Sequence, residues 1–375
     1  MPTMLPAAPK TLGRLSDVFI SALGAITGHS NHLGFKRVSK AVVILVDGLG
    51  AENLRAAGGH APFLNAALKA SKSINTVFPS TTAAAITSFG LSASPSISGI
   101  FGYSVFDRDA GVVRNLLSGW SDDFTPGEYQ QRASVSHLAQ QNDVPSYSVG
   151  PGEYADSGFT KLNMAGAEFI AAKTFEDRIE ATLQISRSKH RSLTYLYFPE
   201  LDSLAHSRGV NSSEWLNKLE DLDSAVKTLV AQLPQEVGVL LTADHGIVDV
   251  PSENHLLLDE FELPGLLAVT GDPRNSFLYF ERGSDLVKKK NNLQELSGDN
   301  FIVATFEDLV QSGWFEKETS NPQFMPDLFL ISTGNFACYH RGFAKPQSLR
   351  MIGQHGSIST AELSVPLLKL GAFAG

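Results

Sequence analysis

The chain has 375 residues, of which 43% are hydrophobic and 18% charged, ordinary values for a globular protein that buries a large core. Its net charge of −9, with histidine neutral, excludes an overall basic surface of the kind that binds nucleic acid. A single cysteine, Cys338, excludes an intrachain disulfide and a cysteine-rich zinc site, and we expect a cytoplasmic protein.

The first predicted element is a helix at Val18–Ile26. This apolar run follows basic residues, as the core of a secretory signal would. However, Asp17 stands directly before it, and Ser21 and Gly24 interrupt it. We therefore predict an amphipathic surface helix. No other apolar run approaches the roughly 20 residues that span a bilayer, so we expect no membrane span.

Three predicted strands follow along the chain, and each leads into polar residues. They are Ala41–Val46 before Asp47, Leu193–Phe198 before Asp202, and Val237–Thr242 before Asp244 and His245. Continuous apolar, β-branched runs are typical of central strands that are buried on both faces of a parallel sheet. Because ligands bind beyond the carboxyl ends of such strands, these polar residues are candidates for a binding site.

Helical patterns lie between the strands. They are predicted at Ala61–Ala70, Thr82–Phe89, Phe175–Ile185 and Glu214–Leu233. A chain in which strands and helices alternate forms an α/β fold, here with a mostly parallel central sheet flanked by helices on both faces. We predict one such domain over residues 1–375.

Two segments lack this alternation. Residues 103–165 are rich in Gly, Ser, Asp and aromatic residues, and we predict a cap-like insert there. Residues 270–325 form a second predicted insert. It contains a strand, a basic run and a helix, at Ser276–Phe280, Lys288–Lys290 and Phe306–Ser312. We expect both inserts to fold over the mouth of the site, since loops at strand ends carry specificity, with Arg274 and the lysine run as candidate contacts for phosphate or carboxylate.

Five segments supply candidate metal ligands and a candidate nucleophile. They contribute Asp47, the hydroxyl residues Ser80, Thr81 and Thr82, the pair Asp202 and His206, the pair Asp244 and His245, and His355. Each alone has an ordinary explanation, namely a turn, a helix cap, an exposed helix start or a structural histidine. Together, six carboxylate and imidazole side chains without thiolates fit zinc, and also manganese or iron. With one hydroxyl they are enough for two adjacent metal ions.

The hydroxyl residues follow Pro79 and precede an alanine-rich run, which is typical of a helix N-terminus. The free N–H groups and positive potential there suit an anion. A hydroxyl that is also bound to a metal can ionise and attack phosphorus. The alternative is that these hydroxyls only cap the helix.

The order of these motifs resembles the alkaline phosphatase superfamily, specifically its nucleotide pyrophosphatase/phosphodiesterase-like branch. The matching motifs are Val46-Asp47-Gly48, Phe78-Pro79-x-x-Thr82, Glu200-x-Asp202-x-x-x-His206, Thr242-Ala243-Asp244-His245-Gly246 and Gly353-x-His355-Gly356. They span roughly residues 40–105, 190–256 and 350–370. The resemblance implies an alkaline phosphatase-like core around a two-metal site.

The resemblance also implies roles for single residues. One metal would be held by Asp202, His206 and His355, and the other by Asp47, Asp244, His245 and the nucleophile. Many members of the branch have the nucleophile two residues before the proline, but Val77 stands there in this chain. Register against the downstream Ser98-Gly99 turn places the nucleophile at Thr82, with Thr81 second and Ser80 third. An asparagine that contacts the phosphoryl group in typical members falls at Tyr103, which becomes a candidate substrate-binding residue.

The implied function is a two-metal hydrolase that cleaves phosphodiester or pyrophosphate bonds through a phospho- or nucleotidyl-threonine intermediate. Its substrate would be a small phosphate ester such as a nucleotide. A phosphomonoesterase or a phosphonate hydrolase on the same site is the alternative. A non-catalytic protein that binds metal and a partner is a third alternative. It is disfavoured because all six metal-ligand positions carry a suitable side chain. Sulfatase activity is also disfavoured, because no Cys or Ser lies in a Cys-x-Pro-x-Arg pattern.

Overall fold

The computed structural model describes residues 4–10 and 13–374. The strands are β1 (Lys40–Val46), β2 (Ile74–Asn75), β3 (Ser104–Asp107), β4 (Val112–Asn115), β5 (Ser146–Gly150), β6 (Ala167–Ala171), β7 (Ser192–Phe198), β8 (Val237–Ala243), β9 (Val248–Asp249), β10 (His255–Leu257), β11 (Leu266–Asp272), β12 (Asn275–Phe280), β13 (Phe301–Ala304), β14 (Leu328–Ser332), β15 (Ala337–Tyr339), β16 (Gly353–Gln354), β17 (Ser364–Val365) and β18 (Leu368–Gly371). The α-helices are α1 (Val18–Thr27), α2 (Ala51–Ala56), α3 (Pro62–Lys69), α4 (Thr82–Leu91), α5 (Pro95–Ser98), α6 (Pro126–Tyr129), α7 (Val135–Gln141), α8 (Gly158–Asn163), α9 (Phe175–Arg187), α10 (Glu200–Arg208), α11 (Ser213–Gln232), α12 (Leu286–Ser297), α13 (Phe306–Gln311) and α14 (Thr360–Leu363).

The central sheet has six strands in the order β18-β8-β1-β7-β5-β6. The neighbouring strands from β8 to β6 pair in parallel, whereas β18 runs antiparallel to β8. Every residue of β1 and β8 is buried, because both faces of the sheet are covered. The predicted α/β fold with a mostly parallel central sheet is confirmed.

The helices around this sheet pack in two groups. α1, α4 and α7 contact one another, while α3, α9 and α10 pack against α11. None of the described helices is both long and apolar enough to cross a membrane.

The predicted amphipathic surface helix forms as α1, but its predicted surface position is wrong. Eight of its ten residues are buried, including Ser21 and Gly24. Phe19 stacks on Phe89 of α4, with 4.6 Å between ring centroids. The small residues that interrupt the apolar run are therefore buried instead of facing water, and α1 belongs to the main core.

A second, antiparallel sheet has the strand order β11-β12-β14-β13. It contains the predicted strand near Ser276–Phe280, and α13 forms close to the predicted helix. Residues 103–165 contain the hairpin of β3 and β4, but also β5 of the central sheet. The run Lys288–Lys290 lies in α12, where Lys290 forms an ion pair with Asp308 at 2.6 Å.

Candidate active site

Three strands deliver acidic residues to one edge of the central sheet. Val46 at the end of β1 pairs with both Phe198 of β7 and Ala243 of β8, so the three strands end side by side. Asp47 directly follows β1, and Asp244 directly follows β8. Asp202 lies in the first turn of α10, which begins two residues after β7 ends. The register of the parallel sheet therefore brings together three carboxylates that are far apart in the chain.

The first candidate metal group consists of Asp47, Asp244 and His245. Each offers one ligand atom, and these atoms lie within 4.8 Å of one another. Nε2 of His245 is 3.5 Å from Oδ1 of Asp47 and 3.4 Å from Oδ2 of Asp244. The other oxygen of Asp244 accepts the backbone N–H groups of Gly48 and His245, which fixes the orientation of the carboxylate.

The second candidate group consists of Asp202, His245 and His355, again with ligand atoms within 4.8 Å of one another. His245 and His355 stack with 3.7 Å between ring centroids. His206 lies beside this group: its Nε2 is 3.2 Å from Oδ2 of Asp202, and its ring centroid is 5.3 Å from that of His355. All six predicted ligands thus lie in one cluster, with His206 at its margin.

The three histidines are oriented in the same way by backbone carbonyl groups. Nδ1 lies 2.7 Å from the Gly353 oxygen in His206, 3.2 Å from the Gly246 oxygen in His245, and 3.1 Å from the Ser80 oxygen in His355. Because a carbonyl oxygen only accepts, Nδ1 carries the proton and a neutral ring keeps its lone pair on Nε2. This is the arrangement by which histidines ligate metals.

The electrostatics of the cluster fit bound cations. Burial and the neighbouring Asp244 raise the pKa of Asp47 well above its usual range. The pKa of Asp202 is lowered although burial opposes this, because His206 and His355 lie beside it. Oδ1 of Asp47, Oδ1 of Asp202 and Oδ2 of Asp244 are buried and make no hydrogen bond with any described residue. Buried anionic oxygens without partners are costly, and divalent cations held by these oxygen and imidazole donors would remove that cost.

The three neighbouring hydroxyls have separate roles in the structure. Ser80 donates to the Ser357 carbonyl oxygen at 2.6 Å, and Thr81 caps α4 by accepting the Ala84 N–H at 3.3 Å. Thr82, the first residue of α4, places its Oγ1 3.0 Å from Nε2 of His245. Only Thr82 among the three therefore faces the candidate metal cluster, and it does so at the positive end of a ten-residue helix.

The other two predicted contact residues lie elsewhere. Tyr103 is half-buried, and burial together with nearby Asp272 raises the pKa of its phenol. It does not line the pocket next to Thr82, so its role in substrate binding stays a prediction. Arg274 is fully buried and forms a bidentate pair with Glu362 at 2.8 and 2.7 Å. The predicted phosphate contact of Arg274 is therefore wrong, because its guanidinium is already neutralised inside the protein.

Sequence reasoning missed several residues that support the cluster. Tyr197 of β7 donates its hydroxyl to Oδ2 of Asp47 at 2.5 Å. The buried Arg178 of α9 binds Glu200, at the start of the helix that carries Asp202. Glu200 belongs to a predicted motif, but its pairing with Arg178 and the contact of Tyr197 with Asp47 join distant segments that the motifs do not connect.

The Arg274–Glu362 pair supports the opposite side of the cluster. Oε1 of Glu362 accepts the Ser357 N–H, two residues after His355, and its backbone oxygen accepts the Gly246 N–H next to His245. One buried ion pair thus ties together the two loops that carry these histidines.

A pocket of about 670 Å³ adjoins the cluster and reaches Asp47, Thr82 and Asp202. Its other walls come from residues 117–120 and 148–164 and from β7. Several of its lining side chains are aromatic: Trp120, Tyr154, Phe159, Phe169, Tyr195 and Tyr197. The size and walls of this pocket suit an organic group attached to a phosphoryl group at Thr82.

Comparison with known proteins agrees with this geometry. A sequence model of the family described as "Type I phosphodiesterase / nucleotide pyrophosphatase" matches residues 41–358, most of the chain. A sequence search of curated proteins gives no significant match.

Many solved structures share the fold. Murine ectonucleotide pyrophosphatase / phosphodiesterase 5 is 17% identical, with a TM-score of 0.70 over 88% of each chain. An inactive threonine-to-alanine variant of the murine protein in complex with AMP gives 0.69 at 17% identity, over 89% of this chain and 88% of that one. The human counterpart gives 0.68 at 16% identity over 88% of each chain. At these identities the likeness concerns the fold.

Proposed function

The chain belongs to the type I phosphodiesterase / nucleotide pyrophosphatase family and is a phosphodiester hydrolase, and from this premise we propose that it acts through a covalent intermediate on Thr82. The bond cleaved is a phosphodiester or a pyrophosphate bond. In this proposal the site holds two divalent metal ions, zinc being the first candidate and manganese or iron the alternatives.

The position of Thr82 carries the proposal. Its hydroxyl lies 3.0 Å from His245, whereas the hydroxyls of Ser80 and Thr81 bind the backbone. Thr82 is also the first residue of a helix, where free backbone N–H groups attract anions such as the phosphoryl group of the substrate. The same helix therefore supplies both the attacking oxygen and part of the anion-binding surface.

The residues of the cluster divide into two ligand sets in this proposal. Asp47, Asp244, His245 and Thr82 would hold one cation, and Asp202, His206 and His355 the other. When bound, such a pair of cations lowers the pKa of a hydroxyl and stabilises charge on the oxygens of the phosphoryl group.

The chain's own residues account for the remaining steps. The deprotonated Oγ1 of Thr82 forms a bond to phosphorus as the bond to the leaving alcohol or phosphate breaks. The organic group attached to phosphorus lies in the adjoining pocket, so the intermediate is a phosphodiester of Thr82. Water then breaks the bond between phosphorus and Oγ1, which releases the organic phosphate and restores the hydroxyl. Positioning contributes most of the rate here, since phosphoryl transfer needs little further covalent chemistry from the protein.

A nucleotide derivative is the proposed substrate. The aromatic walls of the pocket support this choice, because a flat base packs well against rings. A structural neighbour has been solved in complex with AMP, which is a property of that protein and is consistent with the pocket seen here.

The test compares alanine variants of the three neighbouring hydroxyl residues on bis-p-nitrophenyl phosphate. We expect Thr82→Ala to lower kcat by several orders of magnitude while the fold and the metal content are retained. Thr81→Ala should instead lower stability by about 0.5–2 kcal/mol and leave turnover nearly intact, because it removes only a helix cap.

Trapping the intermediate gives an independent readout. Acid quenching during turnover of the diester, followed by mass spectrometry, should show a peptide in which Thr82 carries a p-nitrophenyl phosphoryl group. This adduct should be missing from Thr82→Ala. Normal turnover in Thr82→Ala would refute the proposal. Faster hydrolysis of p-nitrophenyl phosphate than of the diester would favour the phosphomonoesterase alternative.

A further inference from the structure

The charges that line the pocket next to Thr82 are all of one sign. Apart from Asp47 and Asp202 in the candidate metal cluster, its acidic side chains are those of Glu153 and Asp156. No lysine, arginine or histidine is found among the described residues that line it. Glu153 and Asp156 are exposed, so they stand at the rim, while the aromatic side chains form the walls.

We propose that this pocket selects the organic group of the substrate by its charge. It accepts a flat group that is uncharged or positively charged, and it rejects a group that carries a further phosphate or carboxylate. This inference rests on the proposed function and adds the chemical class of the group next to the phosphoryl centre.

The physical reason is that burial in this pocket costs more free energy for an anionic group than for a cationic one. An anionic substituent would leave water for a part of the cavity that no Lys, Arg or His side chain lines, and the proposed metal ions would already be paired with the phosphoryl group. Its lost hydration would therefore stay uncompensated. A cationic group would be attracted by aromatic rings such as those of Tyr154 and Phe159, and then by the rim carboxylates. An uncharged ring would gain from burial alone.

One wall of the pocket has a fixed position. The Trp120 ring stacks on Phe124 with 5.1 Å between centroids, and its indole N–H donates to the Leu116 carbonyl oxygen at 2.8 Å. It also occupies the space beside Gly158, where a Cβ atom would lie only 2.4 Å from the ring. The Trp120 wall of the pocket is therefore held in place by packing before a ligand binds.

Three phosphate monoesters that differ only in one substituent on the ring test this selection. They are phenyl phosphate, 4-carboxyphenyl phosphate and 4-(aminomethyl)phenyl phosphate. Zinc-loaded Thr82→Ala protein binds them without turnover, and calorimetry at low salt gives each Kd. We expect the uncharged and cationic esters to bind at least tenfold more tightly than the carboxylate.

Charge variants at the rim provide the matched comparison. Glu153→Lys combined with Asp156→Lys should bring the Kd of the carboxyphenyl ester to or below that of phenyl phosphate. Glu295→Gln, which changes an exposed carboxylate outside the pocket, should leave all three values unchanged. Equal Kd values for the three esters, or no measurable binding of any, would overturn the selection.

These outcomes separate the inference from the proposed function. Failure of the wild-type protein to form the covalent phosphoryl adduct on Thr82 refutes the covalent mechanism even if the order of Kd values holds. Equal Kd values together with normal hydrolysis of a diester refute the charge selection alone.

Discussion

The hydrogen bond from the Tyr197 hydroxyl to Asp47 is the shortest one that any candidate metal ligand makes with the described residues. The hydroxyl donates to Oδ2 of Asp47 at 2.5 Å, while Oδ1 of that carboxylate makes no hydrogen bond with any described residue. We expect Tyr197→Phe to weaken zinc binding by about 10–100-fold, because partners of this kind orient ligands. Competition with a chromophoric chelator measures the change.

Tyr195→Phe is the matched control for this prediction. Tyr195 also lines the pocket, but its hydroxyl makes no hydrogen bond with any described residue. Zinc affinity should stay close to that of the wild type. An equal loss in both variants would show that the phenol of Tyr197 acts by packing and not by orienting Asp47.

Asp272 is a buried carboxyl group outside the predicted ligand set. Burial raises its pKa to about 7, although it accepts the Tyr103 N–H and lies near His206. In the unfolded chain the pKa of an aspartate is about 3.9. At a pH between the two pKa values, the folded protein therefore keeps a proton on Asp272 that the unfolded chain has lost. Stability is therefore lost as pH rises from about 4 to about 7.

Replacing Asp272 by Asn keeps the acceptor and removes the titration. In chelator-treated protein, we expect Asp272→Asn to gain up to about 4 kcal/mol relative to wild type between pH 4 and pH 8, from a shift of about three pKa units. Urea unfolding at several pH values measures this difference. If stability depended on pH in the same way in both proteins, this prediction would be contradicted. Asp122→Asn, which replaces an exposed carboxylate, is the control and should not change the pH dependence.

At the scale of elements, the Arg274–Glu362 pair links the turn between β11 and β12 to α14 and to two ligand-bearing loops. We expect Glu362→Gln to lower the free energy of unfolding by about 3–5 kcal/mol, because it leaves a buried guanidinium charge unpaired. Zinc affinity should fall as well, since the loop of His355 loses its anchor. Asp221→Asn, which breaks an exposed pair with Lys218, should cost no more than about 1 kcal/mol.

Sequence periodicity predicted the helices and strands in which the pattern of apolar residues is clear. β1, β7, β8, α4, α9 and α11 lie within about two residues of their predicted ends. β5 and β6 were not predicted, although both belong to the central sheet, because short strands such as Ser146–Gly150 mix polar and small residues. Their burial comes from neighbouring elements that local sequence does not reveal.

At the scale of the whole molecule, bound metal should contribute to stability. Metal that binds the folded state alone adds about 4 kcal/mol per site when its concentration is a thousand times Kd. We expect EDTA to lower the melting temperature of the protein and zinc to restore it. Asp244→Asn protein should show a smaller shift, and an unchanged melting temperature after verified metal removal would count against a metal-filled site.

The composition of the site could be predicted from sequence, but its surroundings could not. Asp47, Asp244 and His245 follow buried strands, and the rule that parallel strands end at one edge brings them together. Tyr197 and Glu362 act through contacts between distant segments, and no spacing in the chain marks them. The burial of Arg274 was unpredictable for the same reason, because its partner lies 88 residues away.

The contact between the Ser80 carbonyl and His355 joins residues 275 positions apart. A ribosome-bound chain therefore lacks part of the candidate metal cluster until the loop that carries His355 has been made and has folded back onto the segment around Ser80. Translation proceeds at about 5–20 residues per second, so Thr82 should wait many seconds for the rest of the cluster. The hydrolase would then be inert as a nascent chain until His355 reaches its place beside the Ser80 carbonyl.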